Sequence, residues 1–131
     1  MTRTRIVTSG APTALGPYSQ AIAAGDLMFC SGQTGRDPST GELAGDFAGE
    51  VERAIRNIGH VLDGAGVGFG DVVKTTLFLI DIERFSQAND IYRRFFPDPP
   101  PARSTVGVAA LPGGAAFEIE AIAVRPAGRT G

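Results

Sequence analysis

One stretch of this chain has a single reading. From Asp46 to Gly66 the apolar residues fall at Val51, Ala54, Ile55, Ile58, Val61, Leu62 and Ala65, the i, i+3, i+4, i+7 spacing of a helix with one buried face. Asp46 is placed to cap its first turn, and Gly64 and Gly66 to end it. Glu50, Glu52, Arg53, Arg56, Asn57, His60 and Asp63 fill the other arc and predict a solvated side. His60 has no Asp, Ser or Cys spaced to serve it, so it reads as a surface residue and not as a base.

Such a helix must bury its stripe against something, and Val72–Ile80 is the natural floor. Its sequence, VVKTTLFLI, predicts a strand with Val73, Thr75, Leu77 and Leu79 against helices. The other face, Val72, Lys74, Thr76, Phe78 and Ile80, is too apolar for plain solvent. A second helix over Arg84–Phe96, stopped by Pro97, carries Phe85, Ala88, Ile91, Tyr92 and Phe95 on a core stripe. No third helix remains to cover the second sheet face. Another copy of the chain is the economical cover.

Upstream, Arg5-Ile6-Val7 predicts a short strand, and Ser9–Pro17, with its glycines and prolines, a loop. Ser19–Ala23 and Leu27–Ser31 flank Ala24-Gly25-Asp26 as a hairpin, which sets Tyr18 and Ser31 at its ends. A loop over Gly32–Gly45 turns at Asp37-Pro38-Ser39-Thr40-Gly41. The order strand, strand, strand, helix, strand, helix, strand, strand predicts an α+β domain: one mixed sheet, with both helices on one face. At 131 residues and 43% apolar, residues 1–131 make one domain with one core, and 126–131 read as a frayed tail.

The chemistry-bearing residues lie in Pro101–Val124, where PARSTVGVAALPGGAAFEIEAIAV holds one arginine and two glutamates in extended apolar sequence. Pleating puts Arg103, Thr105, Gly107 and Ala109 on one side of a first strand, Arg103–Ala110. A second strand, Phe117–Val124, carries Glu118, Glu120, Ile122 and Val124 on one face. A guanidinium on a strand entered from Pro99-Pro100-Pro101 suits a small carboxylate, because its planar fork matches two carboxylate oxygens. The competing reading is a solvated strand face with cross-strand ion pairs. Apolar neighbours Phe117 and Ile119 would raise the pKa of Glu118 and a nearby Arg103 would lower it, and the sequence leaves that balance open.

A net charge of −2 and a single lysine, Lys74, give no footprint for nucleic acid. No apolar run approaches the ~20 residues that span a bilayer, and Met1–Arg5 is not followed by the apolar segment of a secretory signal. One cysteine, Cys30, makes neither an internal disulfide nor a cysteine-based metal site. The expected compartment is the cytoplasm. Cys30 and Tyr92 read as core and Glu120 as structural. Ser31 has no histidine to activate it as a nucleophile.

Taken together, Gly16-Pro17-Tyr18-Ser19-Gln20, Ser31-Gly32-Gln33, Asp37–Glu42, Val73-Lys74-Thr75-Thr76, Asn89, Tyr92, Pro101-Ala102-Arg103-Ser104 and Glu118–Val124 resemble the RidA (YjgF) family of reactive-intermediate imine deaminases. The resemblance spans nearly the whole chain in order. It implies a chorismate-mutase-like (bacillus type) α+β subunit and a homotrimer with active sites between subunits. It further implies hydrolysis of 2-imino acids or their enamine tautomers, such as 2-aminoacrylate, to 2-keto acids and ammonia, with no cofactor and no metal. By position Arg103 corresponds to the carboxylate-binding arginine and Glu118 to the acid that holds the attacking water. Tyr18 and Ser31 match pocket-closing residues and Asn89 a further polar position. Thr105 stands where many members have cysteine, and the lead Phe96–Pro101 is shorter and richer in proline than in the best-known members. Other readings are a non-catalytic small-carboxylate-binding module, a chaperone-like interaction protein of the same fold, and, least favoured by the charge, a ribonuclease.

Overall fold

The computed structural model describes residues 2–126, so all but the first residue of the tail expected at 126–131 lies outside the described residues. Six strands form one sheet: β1 Arg3–Ile6, β2 Ala21–Ala24, β3 Leu27–Thr34, β4 Val72–Leu79, β5 Ala102–Gly107 and β6 Phe117–Val124. Their order is β1-β2-β3-β6-β4-β5. All pairs are antiparallel except β4 with β5, which makes the sheet mixed, as the element order predicts. Helices α1, Phe47–Gly64, and α2, Phe85–Tyr92, pack on each other, and α1 lies on β3 and β6.

Helix α1 starts where the sequence places it, with the Asp46 carboxylate accepting from the Gly49 N–H at 2.8 Å. All seven predicted apolar positions are buried, and His60 is exposed. Two residues of the predicted solvated arc are not solvated. Asn57 donates to the carbonyls of Thr34 and Arg36, at 3.1 and 2.9 Å, and Glu50 accepts from the Ala116 N–H at 2.9 Å. The loops after β3 and before β6 close over that side of the helix, and both side chains satisfy loop backbone that would otherwise be buried unpaired.

Five other expectations shift. β1 covers Arg3–Ile6 instead of Arg5–Val7, because Ile6 is the residue that pairs with Ala21 and reaches the core. The hairpin turns tightly at Gly25-Asp26, with Gly25 at φ 60°, so β2 begins later and β3 runs on to Thr34. Helix α2 is shorter than Arg84–Phe96: a 3-10 turn, Ile82–Arg84, precedes it, regular helix ends at Tyr92, and Phe85 stands exposed. β5 ends at Gly107 and not Ala110. In β4 a register shift between Val72 and Lys74 exchanges the first two faces, so Val72 is buried and Val73 is not.

Past that shift the alternation holds. Thr75, Leu77 and Leu79 are buried beneath the helices, as are Phe117, Ile119, Ala121 and Ala123 of β6. The opposite face carries two apolar pairs in register, Phe29 with Ile122 and Phe78 with Val106, with Phe29 44% and Val106 40% exposed, and no element of the described chain covers it.

Candidate active site

Strand order decides where the predicted residues go. β4 separates β5 from β6, so the arginine strand and the glutamate strand are not neighbours. Arg103 registers with Thr75, whose side chain is buried on the helix side. Glu118 registers with Phe78, three residues along β4 and therefore on the other face. Arg103 and Glu118 of one chain thus face opposite sides of the sheet and line separate recesses.

The first recess, about 290 Å³, is lined by Asn89, Tyr92, Arg93, Pro100, Pro101 and Arg103. Here the half-buried Arg103 lies over the Tyr92 ring, Cζ to centroid 4.9 Å. Among the described residues it has no hydrogen-bond acceptor and no carboxylate partner. Asn89 adds a buried Oδ1 that likewise has no hydrogen-bond partner among them. Thr105 projects from the same face of β5 but is not among the lining residues.

The second recess is an open cleft of about 790 Å³ that gathers Tyr18, Ser31, Gly32, Arg36, Glu118 and Glu120. It forms where the β3–β6 register slips between Cys30 and Gln33. Gly32 sits at the slip because a Cβ there would collide with the Glu118 carboxylate. The Ser31 hydroxyl donates to the Ser19 carbonyl at 2.6 Å, which commits its proton and agrees with its dismissal as a nucleophile. Tyr18, 55% exposed, is carried on the loop between β1 and β2. That loop is clamped by the buried Gln20 carboxamide, which accepts from the Thr8 N–H at 2.8 Å and donates to the carbonyls of Thr8 and Pro12 at 3.1 and 2.8 Å.

Burial raises the pKa of Glu118, and the negative charge of Glu120 two residues on raises it further. Within one chain Arg103 takes no part in that balance. Cys30 is inert: burial pushes its thiol up to about 12. Among the described residues no group of three His, Cys, Asp or Glu is placed to hold a metal. No helix there is long and apolar enough to cross a membrane.

The structure therefore brings the predicted residues together as two sets, Asn89 with Arg103 and Tyr18 with Ser31 and Glu118. Sequence reasoning missed three contributors: Gln20 as the loop clamp, Gly32 as the gap that admits Glu118, and Glu120 as the charge beside it. Only the last had a legible signal, the shared face of positions 118 and 120.

This small α+β domain carries on one face a guanidinium with no hydrogen-bond acceptor among the described residues and, in a cleft on the other, a carboxylate whose pKa burial raises. The comparisons place it further. The profile of the family described as endoribonuclease L-PSP matches residues 8–125, and the chain belongs to that family, the RidA (YjgF) family its motifs resemble. It is 48% identical over 126 residues to the 2-iminobutanoate/2-iminopropanoate deaminase of Bos taurus, covering 95% of this chain and 92% of the bovine one. RidA from an Antarctic Psychrobacter superposes with a TM-score of 0.90 at 40% identity, over 92% of this chain and 98% of that one. TdcF of E. coli, solved with bound serine, superposes at 0.89 with 39% identity, over 93% and 98%.

Proposed function

We propose that this protein is a cytoplasmic, cofactor-independent deaminase that hydrolyses short 2-imino acids and their enamine tautomers to 2-keto acids and ammonia. The observation that carries the reading is the Arg103 guanidinium, half-buried with its N–H donors unspent, beside the unpaired Oδ1 of Asn89. A buried polar atom without a partner, such as the Asn89 oxygen, is costly unless a ligand supplies one, and the guanidinium beside it has donors to spare for a carboxylate. The bovine relative, named as a deaminase of 2-iminobutanoate and 2-iminopropanoate, and the serine-bound relative fit a small carboxylate there.

The chemistry follows from the two half-sites. Arg103 holds the substrate carboxylate and so fixes the adjacent imine carbon. Glu118, ionised, accepts a proton from water as the water oxygen bonds to that carbon, giving a tetrahedral amino alcohol. That proton passes from Glu118 to nitrogen, the C–N bond breaks, ammonia leaves, and the hydroxyl gives its proton to the freed Glu118 carboxylate as the carbonyl forms. An enamine substrate first takes a proton at its terminal carbon. The net step adds one water and neither oxidises nor reduces the substrate. Tyr18 and Ser31 close the cleft, and the Asn89 carbonyl accepts from the substrate N–H. A carboxylate sensor would have use for Arg103 but none for a carboxylate with a raised pKa opposite it. The direct test generates imino acid with an amino-acid oxidase and lets semicarbazide compete for it: the protein forms 2-keto acid without a lag and suppresses semicarbazone. Unchanged semicarbazone formation would sink the assignment.

The two half-sites face opposite ways, so one chain does not complete the site; the reading requires copies arranged head to tail, which close into a ring. We take that ring to be a homotrimer, as the family resemblance implies, with the uncovered Phe29, Ile122, Phe78 and Val106 lining its interior. Light scattering at micromolar concentration should return three times the chain mass. Co-refolding Arg103→Lys with Glu118→Gln should regain about a quarter of native activity, since random mixing leaves that share of interfaces with both native groups. A monomer mass, or no regain in mixed trimers, would refute the shared site.

Thr105 shares the Arg103 face about 6.6–6.8 Å further along the strand. Its backbone N–H can orient substrate or water whatever side chain it carries. Thr105→Val should therefore hold kcat/KM near the native value. A drop of ~100-fold in Val that is restored in Thr105→Cys would make the side chain a participant, since one transition-state hydrogen bond is worth about 1–3 kcal/mol.

A further inference from the structure

A guanidinium can be held in place in two ways, and only one leaves it free to bind a ligand. A carboxylate neighbour would fix it but occupy the N–H edge that a substrate needs. An aromatic face attracts the cation through the ring's quadrupole and leaves that edge open. Arg103 has the second arrangement: Tyr92 lies beneath it at 4.9 Å, and the described residues give it no acidic partner.

The ring itself is fixed. Tyr92 ends α2, is 5% exposed, and its hydroxyl shares a 2.8 Å hydrogen bond with Thr75 Oγ1. Thr75 is the β4 residue directly in register with Arg103, so one tyrosine ties the helix to β4 while its face supports the β5 side chain. Phe96 also stacks on Tyr92 at 4.2 Å with the rings 25° apart, and Phe96 in turn meets Phe69 edge-on at 5.1 Å. A core tyrosine alone would need neither the cation on its face nor a place in the lining of the recess.

We propose that Tyr92 is a positioning residue of the carboxylate site, an aromatic platform that holds the Arg103 fork in one orientation without using its donors. The inference rests on the reading of Arg103 as the carboxylate clamp. Its consequence is that substrate affinity depends on the charge of the ring face and not merely on the ring's shape.

The test replaces Tyr92 with phenylalanine and then with mono-, di- and trifluorophenylalanine in the intact assembly, because fluorine drains the ring face while nearly preserving its shape. KM is measured for the imino acid, and Kd for 2-oxobutanoate by calorimetry. Tyr92→Phe, which keeps the ring and gives up the Thr75 hydrogen bond, is the reference for the fluorinated series; Tyr92→Leu raises KM about 5- to 30-fold with a smaller change in kcat, and affinity falls stepwise below that reference with each fluorine. A flat fluorine series beside an Arg103→Lys variant that has lost 2-oxobutanoate would overturn the platform and leave the clamp standing. Unimpaired binding in Arg103→Lys would overturn both. Should Tyr92→Leu fail to fold, the fluorinated series, which keeps the packing, decides alone.

Discussion

Replacing Arg103 with lysine should leave the fold and its thermal stability in place and lower kcat/KM by about 30- to 150-fold. The chemical reason is the loss of one of two parallel N–H···O contacts to the substrate carboxylate. An ammonium keeps the charge but cannot span both oxygens, and a charged hydrogen bond is worth about 2–3 kcal/mol. Stability should hold because the guanidinium makes no hydrogen bond or ion pair with the described residues; only the contact with the Tyr92 ring is altered, and an ammonium can partly replace it. The measurements are keto-acid formation from oxidase-generated imines and a melting curve on the same preparation. Native turnover in the lysine variant would remove Arg103 from the site, and a collapsed melting temperature would recast it as structural.

Glu118→Gln has the larger effect, about 10²- to 10⁴-fold in kcat, the usual weight of a general base. It should also behave oppositely in stability. Burial and Glu120 raise the folded-state pKa of Glu118 above the ordinary 4.5, so folding favours its neutral form. That contribution is fully present below the unfolded pKa and is lost as pH rises through the folded one. At neutral pH the native chain carries the penalty of a half-buried charge that glutamine does not carry. Glu118→Gln should therefore melt slightly higher than native at pH 7, with the difference closing below 4.5. Catalysis needs the ionised form, so the acid limb of the native rate profile should lie above the range of an ordinary glutamate. Glu120→Gln removes the second cause and should move that limb down in pH. A limb unmoved by Glu120→Gln would mean that burial alone sets it, and full activity in Glu118→Gln would discard the water-holding role.

Much of this protein is legible because its signals are local. The stripe of α1 repeats every three to four residues and places its core side chains before anything is known of their partners. β6 alternates so regularly that Glu118 and Glu120 could be put on one face and Phe117 and Ile119 on the other. Where reading failed, a distant partner overrode the local pattern. Glu50 and Asn57 sit on the polar arc of α1, yet loops closing over them turn both into buried anchors. Val72 and Val73 exchange faces because a register shift against β6 lies between them, and a shift belongs to a pair of strands. Tyr92 reads as core from its place in the helical stripe, and core it is; its contact with Arg103 depends on a strand that follows it in the chain.

The sequence by itself determined the main elements, their order and the residue types of the candidate site, including an arginine on one strand and, on another, a glutamate flanked by Phe117 and Ile119. Only the tertiary structure decided that β4 inserts between the two strands that carry them and that Arg103 and Glu118 look out from opposite faces. Pleat alternation fixes the two sides of a strand relative to each other, but which side meets the helices follows from long-range pairing and from the burial that pairing allows.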